Sequence, residues 1–408
     1  MKRSLAVVLP FLALAACSDQ VTTPVAPATP PAAVSQSAGK YIVVFKDASF
    51  GGPRASVSRA ITEVADGQSI EPSHVYSAVL KGFAATLSEA QVAALRADPR
   101  VAYVEPDAEV KLFVSGVQTT LYSWGLDRID DVDLPLDNSY AWGSDGTGVN
   151  AYILDSGINL NHLDFGTRAH YIPNGLGGNF VGDSNPDAAD CHGHGTHVSG
   201  TVGGTYSGVA KNVTIWMGRV VNCSGGGNAS MVIAGMDWVA ANGLKPGVVN
   251  MSLGYGNVTA VKDAAERLVA AGFVVAVAAG NGNFAGQQIN ACNESPANAP
   301  NVLTVGATDT NDKEASFSNY GTCVDLLAPG VNIVSSDYQV TNQVVGMSGT
   351  SMASPHVAGV AAQYLGSNPT AAPAQVMAAI KSAARSNTIT LSKTSSRNGT
   401  PNKFLASF

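Results

Sequence analysis

Gly349-Thr350-Ser351-Met352-Ala353-Ser354-Pro355-His356 decides how the rest of this 408-residue chain is read. A serine stands between a glycine turn and an apolar run that continues through Val357, Val360, Ala361 and Leu365 at helical spacing. A hydroxyl at the first turn of a helix lies near the positive end of the helix dipole. The small residues around it let a substrate backbone approach closely. Serine and threonine are also ordinary helix caps, so this segment alone fits either a nucleophile or a cap.

Two upstream segments favour the nucleophile. Val149-Asn150-Ala151-Tyr152-Ile153-Leu154-Asp155-Ser156-Gly157 reads as a buried strand that ends on a carboxylate and turns at glycine. Catalytic groups of parallel α/β sheets gather at the carboxyl ends of strands, which is where Asp155 falls. His192-Gly193-His194-Gly195-Thr196-His197-Val198-Ser199-Gly200 opens a helix of small residues whose glycines permit tight packing. Aspartate, histidine and serine in this order match one of the known chain orders of the serine triad. In that chemistry His194 takes the Ser351 proton near neutral pH and returns it to the leaving amine, while Asp155 holds the imidazole tautomer. A further strand, Phe273-Val274-Val275-Ala276-Val277-Ala278-Ala279-Gly280-Asn281, ends in Gly-Asn.

On these segments the chain resembles the subtilisin-like serine proteases, specifically the proteinase K and aqualysin branch, from about Tyr41 to the C-terminus. The resemblance implies an α/β fold with three layers and a central, mostly parallel sheet. It assigns Asp155, His194 and Ser351 to the triad and Asn281 to the oxyanion hole, acting with the Ser351 N–H. It makes Ser252, Leu253 and Gly254 one wall of the primary specificity pocket and Ala278, Ala279 and Gly280 the other. Ser224, Gly225 and Gly226 resemble the edge that pairs with an extended peptide, although a flexible surface loop fits the same glycines. Small walls with no fixed charge imply a broad endopeptidase of protein and peptide substrates, favouring apolar or aromatic residues before the cut.

Five cysteines occur, four of them within residues 117–408: Cys191, Cys223, Cys292 and Cys323. An even set in an exported protein suggests disulfides, with three pairings open, and the absence of CxxC spacing argues against metal ligation. The resemblance selects Cys191–Cys223 and Cys292–Cys323. It also implies structural Ca²⁺ at Pro300, Val302 and Asp325, with hard oxygen ligands. A second acidic set, Asp127, Asp130, Asp131 and Asp137, lies where aqualysin-like enzymes bind calcium. A solvated acidic surface is the alternative there. Val132 removes an oxygen ligand from another position familiar in proteinase K.

The N-terminus carries Lys2 and Arg3, an apolar stretch from Leu5 to Ala16, and then Cys17. That pattern predicts a signal peptide over residues 1–17, too short to span a membrane. Leu14-Ala15-Ala16-Cys17 resembles a bacterial lipobox, which would lipidate Cys17 in the precursor. Residues 18–39 read as a Pro/Ala/Ser/Thr-rich linker. Residues 40–116 carry the order β-α-β-β-α-β of a small ferredoxin-like α+β domain, with a hairpin over Tyr76–Leu87 and a helix over Ser88–Asp98. This domain resembles the subtilase propeptide, an intramolecular inhibitor and folding assistant. Residues 117–408 would then form the catalytic domain, released by self-cleavage between Ser115 and Tyr122 as a secreted monomer.

A net charge of −7 gives no basic footprint, which argues against nucleic acid as a partner. Three rival readings remain. His192, His194 and His197 with Asp190 could be a metal cluster, although HExxH spacing is absent. A triad esterase would show GxSxG, where this chain has Gly-Thr-Ser-Met-Ala. A silent interaction module would not need every catalytic side chain.

Overall fold

A computed structural model describes residues 38–50, 54–78, 80–107, 116–283 and 285–408. The expected signal peptide, Cys17 and nearly all of the linker lie outside them. The described residues up to Asp107 form one compact unit and those from Gly116 onward a second.

In the first unit four antiparallel strands run His74–Tyr76, Gly82–Leu87, Gly39–Phe45 and Val101–Pro106 across the sheet. Helices Arg54–Asp66 and Glu89–Ala97 complete the β-α-β-β-α-β order. Val43, Phe45, Ile61, Phe83, Leu87 and Leu95 form its core. Ser88 caps the second helix in a reciprocal box with Gln91, satisfying two backbone donors that a helix start leaves open.

The second unit is built on a nine-stranded sheet. Its order is Arg385–Ser386, Lys403–Phe404, Leu326–Pro329, Leu303–Thr308, Val274–Ala278, Gly247–Met251, Asn150–Asp155, Thr214–Arg219 and Ala169–Tyr171. All neighbours are parallel except the first pair. Successive side chains of a strand point to opposite faces, yet every residue of Gly247–Met251 and Val274–Ala278 is buried. Both faces are therefore covered by helices, as the apolar runs of parallel strands require.

The strand order puts Gly247–Met251 between Asn150–Asp155 and Val274–Ala278. Because the three run parallel, their carboxyl ends emerge side by side, delivering Asp155, Ser252 and Ala279–Asn281 to one edge. Gly116, expected in the preceding domain, belongs to the second unit. Gly116–Gln118 pairs antiparallel with Tyr140–Trp142, and Gln118 is bonded through its side chain to Tyr206 and Lys211.

Candidate active site

Helix His194–Gly203 meets the end of strand Asn150–Asp155 at very close range. A Cβ at Gly195 would lie 2.2 Å from the Gly157 carbonyl, so only glycine permits the approach. Gly193, at φ 103°, supplies the left-handed turn into the helix, and any side chain there would strike the Tyr338 ring. That packing sets His194 Nδ1 2.7 Å from Asp155 Oδ1. Asp155 is buried and His194 is partly open to solvent. Burial would push the imidazole pKa down, but the charge and hydrogen bond of Asp155, aided by Asp190, prevail and raise it. Asp190 holds the helix entrance by accepting from the N–H groups of His192, Gly193 and Thr196 and from two hydroxyls, Ser156 and Thr196.

Ser351 sits in the first turn of helix Thr350–Ser367. Pro355, four residues on, has no N–H to give the Ser351 carbonyl. Ser252 Oγ takes that place at 2.8 Å, and Ser351 Oγ in turn donates to the Ser252 carbonyl at 3.1 Å. Asn250, fully buried, ties the arrangement together. It donates to Ser252 Oγ at 2.9 Å and accepts from Ser354 Oγ at 2.7 Å. The Asn281 amide is oriented just as firmly. The Thr350 N–H can only donate, so it must face Asn281 Oδ1, at 2.8 Å, with the Thr350 hydroxyl on the same oxygen. The NH₂ of Asn281 is left without a partner among the described residues and lies beside Gly349, next to the Ser351 turn. One cavity of about 330 Å³ joins Asp155, His192, His194, Ser224, Gly225 and Ser252–Gly254, so the expected substrate edge and one pocket wall share the cleft with His194.

Residues 146–404 match the Subtilase family, and residues 40–113 match the peptidase inhibitor I9 family. The chain belongs to the Subtilase family. This subtilase is 44% identical over 410 residues to an extracellular serine proteinase of Thermus sp. (strain Rt41A), across 93% of this chain and 94% of that one. It is also 44% identical to alkaline serine exoprotease A of Vibrio alginolyticus, across 91% of this chain and 67% of that protein. Among solved structures, a cold-adapted subtilisin-like serine proteinase superposes with a TM-score of 0.65 at 47% identity, covering 71% of this chain and 99% of that one. The subtilase is thus a serine proteinase with an I9-type inhibitor domain ahead of its peptidase domain.

Both disulfides, Cys191–Cys223 and Cys292–Cys323, are formed. The first links the loop before His194 to the Ser224–Gly226 edge. The metal-cluster alternative fails on geometry. His197 is fully buried with Nε2 donating to the carbonyls of Ile333 and Val345, and Asp190 is spent on the helix entrance. Burial drives the His197 pKa down to about 4, as suits a neutral core imidazole.

The two expected calcium sites differ. Asp127, Asp131 and Asp137 each offer an oxygen within 4.8 Å of the others. Asp127 is buried with one oxygen unpartnered, and burial followed by the neighbouring carboxylates raises its pKa to about 6. A hard cation fits that unmet demand. Asp130 points elsewhere, accepting from the Ala141 N–H at 2.7 Å. At Pro300, Val302 and Asp325 the residues do not fit an ion as they stand. Lys381 Nζ already lies 2.5 Å from one oxygen of Asp325, and the Thr304 N–H binds the other at 2.9 Å. An ammonium supplies the positive charge expected of calcium.

The pocket walls also depart from expectation. Glu294, in a short strand paired with Tyr255–Gly256, lies against both of them. A Cβ at Gly254 would sit 4.0 Å from Glu294 Oε2, and one at Gly280 would sit 3.9 Å from Glu294 Cγ. The walls are small, but a fixed charge stands behind them.

Proposed function

We propose that the chain is an endopeptidase made as a self-processing precursor, with Asp155, His194 and Ser351 as its triad. The observation that carries this is the 2.7 Å contact between His194 and a buried Asp155, in the cleft whose Ser252 brackets Ser351 on both sides. For attack the Ser351 hydroxyl leaves the Ser252 carbonyl and gives its proton to His194 Nε2, which has no protein partner among the described residues. Sites without substrate are often this loose and tighten on binding. Ser351 Oγ bonds to the substrate carbonyl carbon, and the oxyanion is met by the Asn281 NH₂ and the Ser351 N–H. Protonated His194, stabilised by Asp155, gives its proton to the leaving amine. Water then cleaves the acyl-enzyme by the same route.

The inhibitor-type unit supports a zymogen, and the extracellular Thermus relative supports export. Because Gly116–Gln118 is sewn into the second unit, we place self-cleavage at the Gly116 end of the 115–122 window. Structural calcium is assigned to Asp127, Asp131 and Asp137, where it would neutralise three carboxylates.

Expression of the full chain and of Ser351→Ala tests the reading. Wild type splits into two fragments, digests casein and is stopped by a serine-directed phosphonylating reagent. The variant stays intact and inert. A variant that still processes itself, or a wild type stopped by chelator and indifferent to the reagent, sinks it.

A further inference from the structure

We infer that Glu294 is the floor of the primary specificity pocket and that the enzyme accepts lysine or arginine before the cut. The inference deepens the peptidase reading and rests on it. Glu294 lies behind Gly254 on one wall and Gly280 on the other, at the distances given above. Neither wall residue has a side chain to stand between the pocket and the carboxylate, which leaves a slot for a substrate side chain as part of the inference. Gly280 is held as glycine by its φ of +100° and by Asn319 Nδ2, 2.3 Å from where a Cβ would sit.

The carboxylate is half-buried, and no ion pair or side-chain hydrogen bond engages it among the described residues, whereas Asp155, Asp183 and Asp190 around the cleft are each held by a partner. Burial raises its pKa with no cation to oppose the shift. A desolvated carboxylate without a partner is costly to maintain, and a ligand that brings the missing cation relieves part of that cost. Only a long side chain threads the slot far enough to meet it. Lysine and arginine combine that length with a charged tip on an apolar stem, and the glycine walls accept the stem. Aromatic side chains would fill the slot and leave the carboxylate buried beneath them without a partner.

The test compares kcat/KM on peptides that differ only in the residue before the cut, either lysine or its near-isostere norleucine. Wild type is expected to prefer lysine by about tenfold or more, and Glu294→Gln to bring the lysine-to-norleucine ratio close to one. Glu294→Lys should invert it, favouring norleucine over lysine. A lysine-to-norleucine ratio that is the same in wild type and Glu294→Gln overturns the inference and leaves the peptidase reading standing. Hydrolysis of neither peptide, with Ser351 unreactive to the phosphonylating reagent, overturns both.

Discussion

The two sides of the cleft are held by different physics. His194 is positioned by backbone contact: Gly195 closes on Gly157, Gly193 turns the chain, and one carboxylate fixes the ring. Ser351 and Asn281 are positioned by a buried polar network running from Ser354 through Asn250 to Ser252, with Thr350 steering the amide. Close packing tolerates no added atom, whereas a hydrogen-bonded network can lose one member and relax. Apart from the nucleophile itself, the serine side should therefore lose function by degrees where the histidine side fails abruptly.

The largest effect is expected on the histidine side. His194→Ala should lower kcat by about 10⁶, the size seen when a subtilisin loses its histidine. Asp155→Asn should cost about 10⁴. It should also move the acidic limb of the kcat/KM profile. Activity needs neutral His194, and Asp155 raises its pKa, so wild type should gain activity only above the usual imidazole range. Without the charge, burial dominates and the limb should fall to lower pH. A limb that stays in place contradicts the assignment.

On the serine side the nucleophile is as indispensable as the histidine, but the groups that position it are graded. Asn281→Ala should lower kcat by about 10²–10³ with KM nearly unchanged, since the amide acts on the oxyanion alone. Thr350→Val keeps shape and removes one of the two donors on Asn281 Oδ1, so kcat should fall by about tenfold or less. If Thr350→Val matches Asn281→Ala, the network is as brittle as the packing and the contrast between the two sides disappears.

The smallest effect separates the two acidic sites by thermal melting. Calcium should raise the Tm of wild type, and Asp127→Asn with Asp137→Asn should abolish that increment. Asp325→Asn should leave it intact, because Lys381 already supplies a positive charge to that carboxylate. A calcium increment lost only in Asp325→Asn would reverse the assignment.

Much of this was legible from local pattern. Strand Asn150–Asp155, helices His194–Gly203 and Thr350–Ser367, and the propeptide hairpin all follow from apolar periodicity and glycine punctuation. What escaped depends on contacts between distant segments. Nothing near Glu294 in sequence announces that it stands behind walls some 40 and 14 residues upstream. Lys381 reaches Asp325 from a helix 56 positions away. One missed feature did leave a trace: Pro355, four residues after Ser351, frees a carbonyl that some other donor must satisfy. That orphan demanded a donor from elsewhere, and the fold supplies it as the Ser252 hydroxyl.

The most direct measurement is mass mapping of the processed enzyme after reaction with a phosphonylating reagent, alongside the residual activity. The account predicts one adduct per molecule, on Ser351, with activity falling in step and no adduct in His194→Ala. An adduct on another residue, or full activity with Ser351 modified, would contradict it.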